Sequence, residues 1–277
     1  MQTINTNPAQ GITVVNGSAY FSLGSTLWTQ ITDGQFAKYT YSYAPPSPSW
    51  DNLEMATMSM ARWGGNPEDK WYSACMRLEM ALGFGAYEQS LKVGAGSGVT
   101  TTFYLSEQKV DKLQEIDFEF SGHCNQPGQL CGTSSVWTNV WWQGQQYGQA
   151  TPLWTGNTPP SPMPDTTQGW GKSVYRYKLD WEPNIVKWSV DRTGVGNSYE
   201  VIRSQEMSVI GANYDERLCY PFISFWTGDW NPDGSPFLKG QDATAKCGDS
   251  GACYQAFYFQ SLKFTPSSRN QTTRIGS

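Results

Sequence analysis

The chain has 277 residues, of which 14% are aromatic (13 Trp, 15 Tyr, 12 Phe) and only 16% charged, with a net charge of −5. No basic cluster interrupts it, which argues against nucleic acid as a partner, because phosphate contacts need concentrated Lys and Arg. No apolar run is long enough to cross a bilayer, so no membrane partner is expected either. Rings, Gly and Ser/Thr with so little charge point to an all-β protein, and more rings than a core can hold implies that some line a groove.

In chain order, Met1–Pro8 lacks a charged-then-apolar leader pattern, so a secretion signal is expected to lie outside this sequence. Residues 1–50 read as short strands broken by turns and end in the Pro/Ser-rich loop Ala44–Trp50. Asp51–Arg62 and Lys70–Leu82 are rich in the helix formers Met, Ala, Glu and Leu. Met76, Leu78, Met80 and Leu82 nonetheless alternate with period two, which favours strands in this β-rich setting. Phe84–Val93 and Val99–Leu105 read as strands joined by the Gly-rich turn Gly94–Gly98.

Next comes Glu115-Ile-Asp117-Phe-Glu119-Phe120, three acids alternating with three large apolar residues. On a strand this puts the acids on one face and Ile116, Phe118 and Phe120 on the other. A row of like charges raises the proton affinity of each member, so it is either solvated or kept for chemistry. Ser134–Trp142 follows as a strand with Trp137, Asn139 and Trp141 on one face, and residues 150–173 read as a long Pro/Gly/Thr-rich loop. Val174–Trp181 and Ile185–Val190 form a hairpin about the tight turn Glu182–Asn184, and Tyr220–Trp226 and Gln255–Phe264 complete the strands. With no repeat, composition break or linker, residues 1–265 are expected to form one domain of two stacked antiparallel sheets. Residues 266–277 are expected to be a frayed polar tail.

Cysteines stand at 75, 124, 131, 219, 247 and 253, an even set that admits 15 pairings. Short loops suggest Cys124–Cys131 and Cys247–Cys253, leaving Cys75 to reach Cys219. With the sequons Asn16-Gly-Ser and Asn270-Gln-Thr, they suit an oxidising, extracellular location. A single His, His123, and no paired Cys-x-x-Cys argue against zinc, and neither metal nor cofactor is expected.

The acidic strand resembles the catalytic strand of glycoside hydrolase family 16 in its unbulged E-x-D-x-E form, as in bacterial lichenases and plant xyloglucan endotransglycosylase/hydrolases. Further stretches resemble the family in consistent order: Phe84-Gly-Ala-Tyr-Glu88, Ser97–Phe103, Thr138-Asn-Val-Trp-Trp-Gln-Gly144, Tyr175–Pro183 and Val186–Asp191. The resemblance implies a β-jelly-roll sandwich of the concanavalin A-like glucanase/lectin type, with a concave sheet forming an open sugar cleft. It implies that Glu115 is the nucleophile, Glu119 the acid/base, and Asp117 a hydrogen-bond partner of the nucleophile whose charge helps keep Glu119 protonated. Asn139 would meet sugar hydroxyls, and Trp137, Trp141, Trp226 and Trp230 would stack on sugar rings. Trp142 and Trp188 are left open between core and cleft.

The implied activity is retaining endo-hydrolysis of β-1,4-containing glucans (mixed-linkage glucan or xyloglucan), with transglycosylation or a glucan-binding lectin as the alternatives. The expected partner is polysaccharide, and the expected state a secreted monomer. The chain departs from the family at Leu113, where lichenases carry Trp and transglycosylases His. The plant sequon after the acidic strand, the plant C-terminal extension and any counterpart of the Cys124–Cys131 loop are missing from the match. Along a strand Glu115 and Glu119 stand about 13 Å apart at the backbone, so retention, which needs carboxyls about 5–5.5 Å apart, requires a curved strand.

Overall fold

The computed structural model describes residues 2–31, 40–44, 55–62, 71–72, 74–93, 100–107, 114–121, 135–152, 174–191, 198–212, 218–226, 254–258, 261–270 and 273–276. Twenty-one strands carry this part of the chain. The first ten are β1 (Gln2–Ile4), β2 (Ile12–Val15), β3 (Ser18–Phe21), β4 (Trp28–Gln30), β5 (Thr40–Ala44), β6 (Met55–Arg62), β7 (Trp71–Tyr72), β8 (Ala74–Leu78), β9 (Gly85–Lys92) and β10 (Thr100–Ser106). Then follow β11 (Glu115–Ser121), β12 (Ser135–Trp142), β13 (Gln145–Gln146), β14 (Gln149–Pro152), β15 (Tyr175–Glu182), β16 (Ile185–Asp191) and β17 (Glu200–Glu206). β18 (Tyr220–Trp226), β19 (Tyr254–Tyr258), β20 (Leu262–Pro266) and β21 (Thr273–Ile275) complete the series. The helices among the described residues are two short 3-10 turns, Pro8–Gln10 and Met207–Ile210.

Two antiparallel sheets pack face to face, as the alternating pattern requires. One runs β13-β12-β11-β10-β18-β8-β4, with β14 also on β12; the other runs β17-β16-β15-β9-β19-β6-β5, with β20, β3 and β2 attached through β9. The acidic strand is interior to the first sheet, between β10 and β12. Its apolar face, Ile116, Phe118 and Phe120, is buried against the second sheet, where Phe120 and Phe118 meet Tyr177 edge-on at 4.6 and 5.6 Å. The helix-prone stretches are strands, β6 to β8: sheet pairing on both edges outweighs a propensity of a few tenths of a kcal/mol per residue.

Three expectations need correction. Gln255–Phe264 is two strands: both pair with β9 in succession, but on the other edge β19 pairs with β6 and β20 with β3. The end of the chain is not frayed, since β21 pairs in parallel with β1 and Thr273 is fully buried. The register also forbids a Cys75–Cys219 bridge. Cys75 lies opposite Ser224, five residues along β18 from Cys219, or about 17 Å, and a disulfide tolerates no more than about 7 Å between Cα atoms. The Cys75 sulfur lies 3.6 Å from the Tyr104 hydroxyl. His123 and the other four cysteines lie outside the described residues.

The two sequons have different fates. Asn16 is exposed at the β2–β3 turn in the left-handed region, φ 49°, followed by Gly17 at φ 74°. Asn270 is buried with its amide engaged at both ends, donating to the Phe84 carbonyl at 2.7 Å and accepting from the Thr273 N–H at 2.8 Å.

Candidate active site

The cleft-side face of the first sheet is set by register. Glu115, Asp117 and Glu119 lie opposite Trp141, Asn139 and Trp137 of β12 on one side. On the other side they lie opposite Ser106, Tyr104 and Thr102 of β10, and these in turn face Tyr220, Phe222 and Ser224 of β18. Sequence parity thus brings the acid row and the Trp137/Asn139/Trp141 row side by side. Trp226 takes its place opposite Thr100 at the end of β18, and Trp230, like Leu113, lies outside the described residues. Trp142 and Trp188, open in sequence, belong to the core.

Glu115 and Glu119 are half-buried and Asp117 is buried. Removal from water raises Glu115 to about 8, with Glu119 as a second cause and the Asp117 contact acting in the opposite direction. Burial raises Glu119 to about 7. Asp117 lies well above the usual carboxylate range because of burial and its two acidic neighbours; the Glu115 contact raises it further, and Asn139 acts against them. The contact that raises Asp117 lowers Glu115, so Asp117 is the member of that pair that keeps its proton. Asp117 Oδ1 has no partner at ordinary hydrogen-bond distance, so this contact is a long one. Burial is the cause that raises Glu119.

Asn139 is fully buried and donates from Nδ2 to Asp117 Oδ2 at 3.2 Å. Its amide is thus engaged with Asp117, the acid opposite it in register. Trp137 and Trp141 are half-buried on the same side of the sheet as the acids. Trp137 is held edge-on by Gly148, where an added Cβ would lie 2.4 Å from its indole nitrogen.

Sequence reasoning missed two groups. Tyr104, directly opposite Asp117, stacks on Phe222 at 4.6 Å with 7° between the rings, and burial raises its hydroxyl well above the ordinary value. The parity of Val99–Leu105 could have placed it beside the acids. The other is Arg203 of β17, on the core side of β12, which donates to the Thr138 carbonyl, to Thr138 Oγ1 at 3.0 Å and to the Tyr147 carbonyl at 2.7 Å. No sequence signal pointed to it: β17 is mostly polar, and Val201 is exposed where Arg203, of the same parity, is buried.

Comparison with known proteins agrees with this architecture. Over 179 residues the chain is 24% identical to Congo red hypersensitive protein 1 of Saccharomyces cerevisiae, covering 65% of this chain and spanning only 28% of the length of that relative. Its fold is similar to apo Crh5 transglycosylase (TM-score 0.55, 19% identity, 94% of this chain and 86% of that one). It is similar as well to a Bacillus licheniformis β-glucanase (TM-score 0.53, 16% identity, 94% and 97%). The sequence model of "Glycosyl hydrolases family 16" matches residues 37–247, a span that takes in the acid row, the tryptophan strand beside it and the sheet behind them. On that match the chain belongs to glycosyl hydrolase family 16.

Proposed function

We propose that the chain is an endo-acting, retaining β-glucanase for β-1,4-containing glucans (mixed-linkage glucan or xyloglucan). The observation that carries this reading is the row of three acids, Glu115, Asp117 and Glu119, set in register beside Trp137 and Trp141 of the neighbouring strand. The Glu115 carboxylate attacks the anomeric carbon as the glycosidic C–O bond breaks, and the Glu119 proton passes to the departing oxygen. Glu119, now a base, takes a proton from water, whose oxygen displaces Glu115 and frees the sugar. Asp117, oriented by the Asn139 amide, supports the Glu115 carboxylate while it waits to attack. The Trp137 and Trp141 rings offer flat apolar surfaces to the faces of glucose units.

A second reading shares every step but the last: a sugar hydroxyl replaces water, and the enzyme is a transglycosylase. The likeness to a structure described as a transglycosylase favours it. An extracellular site of action accompanies both readings, supported by the exposed Asn16 sequon.

The test is a panel of glucans incubated with and without labelled acceptor oligosaccharides, followed by product analysis. Retained anomeric configuration with shortened polymer is expected, and labelled polymer would select transfer. Glu115→Gln and Glu119→Gln are expected to lower kcat by about 1000-fold or more with the fold intact. Full activity in either variant overturns the assignment of roles.

A further inference from the structure

Backbone carbonyls in a sheet point sideways at neighbouring strands, in the plane of the sheet. Two carbonyls of the active-site strands are nevertheless reached from the opposite sheet. The indole N–H of Trp188, on β16, donates to the Asp117 carbonyl at 2.7 Å, and the Arg203 guanidinium donates to the Thr138 carbonyl. Both carbonyls therefore accept a hydrogen bond from the core side of their sheet. They also meet in register, because Asp117 pairs with Asn139, the residue after Thr138. The two donors form one unit: Arg203 lies over the Trp188 ring at 4.7 Å, opposite it in register, beside a bulge at Trp188/Ser189 that brings both side chains inward. Trp188 is fully buried and Arg203 is 8% exposed.

We infer that Trp188 and Arg203 are positioning residues that bow β11 and β12 toward the core at their midpoints, and so converge Glu115 and Glu119 on the cleft face. A strand drawn inward at residue 117 becomes concave on its outer side, and side chains two residues to either side lean together. This supplies the curvature by which backbones about 13 Å apart can bring carboxyls to about 5–5.5 Å. Arg203 reinforces the pull through Thr138 Oγ1 and the Tyr147 carbonyl. Burial lowers its own proton affinity to about 10, with Asp117 acting against the shift, so it stays charged.

The inference rests on the retaining-glucanase reading for its meaning, but its test does not require activity. Trp188→Phe removes the N–H and leaves every charge in place. Among the described residues, the charged and titratable groups around Glu115 are Asp117 and Glu119 on its own strand, Tyr104 on β10, and Arg203 behind the sheet. In crystal structures of Trp188→Phe and Arg203→Met the Glu115–Glu119 carboxyl separation is expected to widen by about 1 Å or more. By 13C-carboxyl NMR the Glu115 midpoint in Trp188→Phe is expected to fall, because Glu119 is one of the causes that raise it. On a glucan cut by the wild type, kcat is expected to drop on the order of 10- to 100-fold with KM within about threefold, and Arg203→Lys to recover part of the loss. Unchanged separation and midpoint in the folded variants overturn the inference whether or not the wild type is active. A widened separation in a wild type that cuts nothing on the panel keeps the tether and overturns the glucanase reading instead.

Discussion

At the scale of single residues, the acids on β11 store a pH dependence. Glu115 and Glu119 hold their protons to about 8 and about 7, against 4.5 ordinarily, chiefly because they are buried. Each binds its proton more tightly folded than unfolded, so this contribution to stability is complete below about pH 4.5 and is lost as pH rises through about 7 and 8. Glu119→Gln, neutral at every pH, is therefore expected to melt close to the wild type near pH 4 and roughly a few degrees above it near pH 9, as thermal scans at the two values would show. The kcat/KM profile is expected to be bell-shaped with both limbs above the ordinary carboxylate value, a property of the coupled group rather than of one residue. Much of this site was legible in sequence, because a period of two sends alternate residues to one face. What sequence could not show is which acid is neutral: that depends on the buried Asn139 amide and on how far water is excluded from each carboxyl.

At the scale of strands, register does the assembling. β11 and β12 pair antiparallel so that Trp137 falls opposite Glu119 and Trp141 opposite Glu115. Position 148, just after the β13 turn, then fixes the Trp137 ring, because only a residue without a side chain leaves room for the indole. Gly148→Ala is expected to tilt that ring and weaken glucan binding by about 1 kcal/mol, roughly fivefold in KM, with kcat nearly unchanged. Steady-state kinetics on the preferred glucan checks this. Strands β9 to β12, β15, β16 and β18 were readable because alternation, turn residues and β-branched or aromatic content agree there, whereas β14 falls partly where a loop was expected and β17 gave no strand signal. The split between β19 and β20 was not readable, since both segments lie along β9 and only the partner on the opposite edge changes. The role of β17 was hidden by its bulged pairing with β16, which lets a polar strand deliver an arginine to the core while Val201 stays outside.

At the scale of the molecule, residues near both ends are fastened to the body. Asn270 bridges the Phe84 carbonyl and the Thr273 N–H, and Thr273 Oγ1 accepts from the Gly83 N–H at 3.2 Å. Asn270→Ala leaves two buried backbone groups without their partner and is expected to cost about 2 kcal/mol, read by urea unfolding, with little change in kcat. The same clamp leaves no room for a sugar on Asn270, whereas Asn16 stands clear. β1 and β21 lie parallel, joined at Gln2/Thr273, Thr3/Arg274 and Ile4/Ile275. Tension entering ahead of β1 and leaving beyond β21 would pull these two strands in opposite directions along their shared axis. All the rungs between them would then be loaded in shear at once, instead of parting one after another like a zipper. The fold thus meets mechanical stretching with its most resistant geometry.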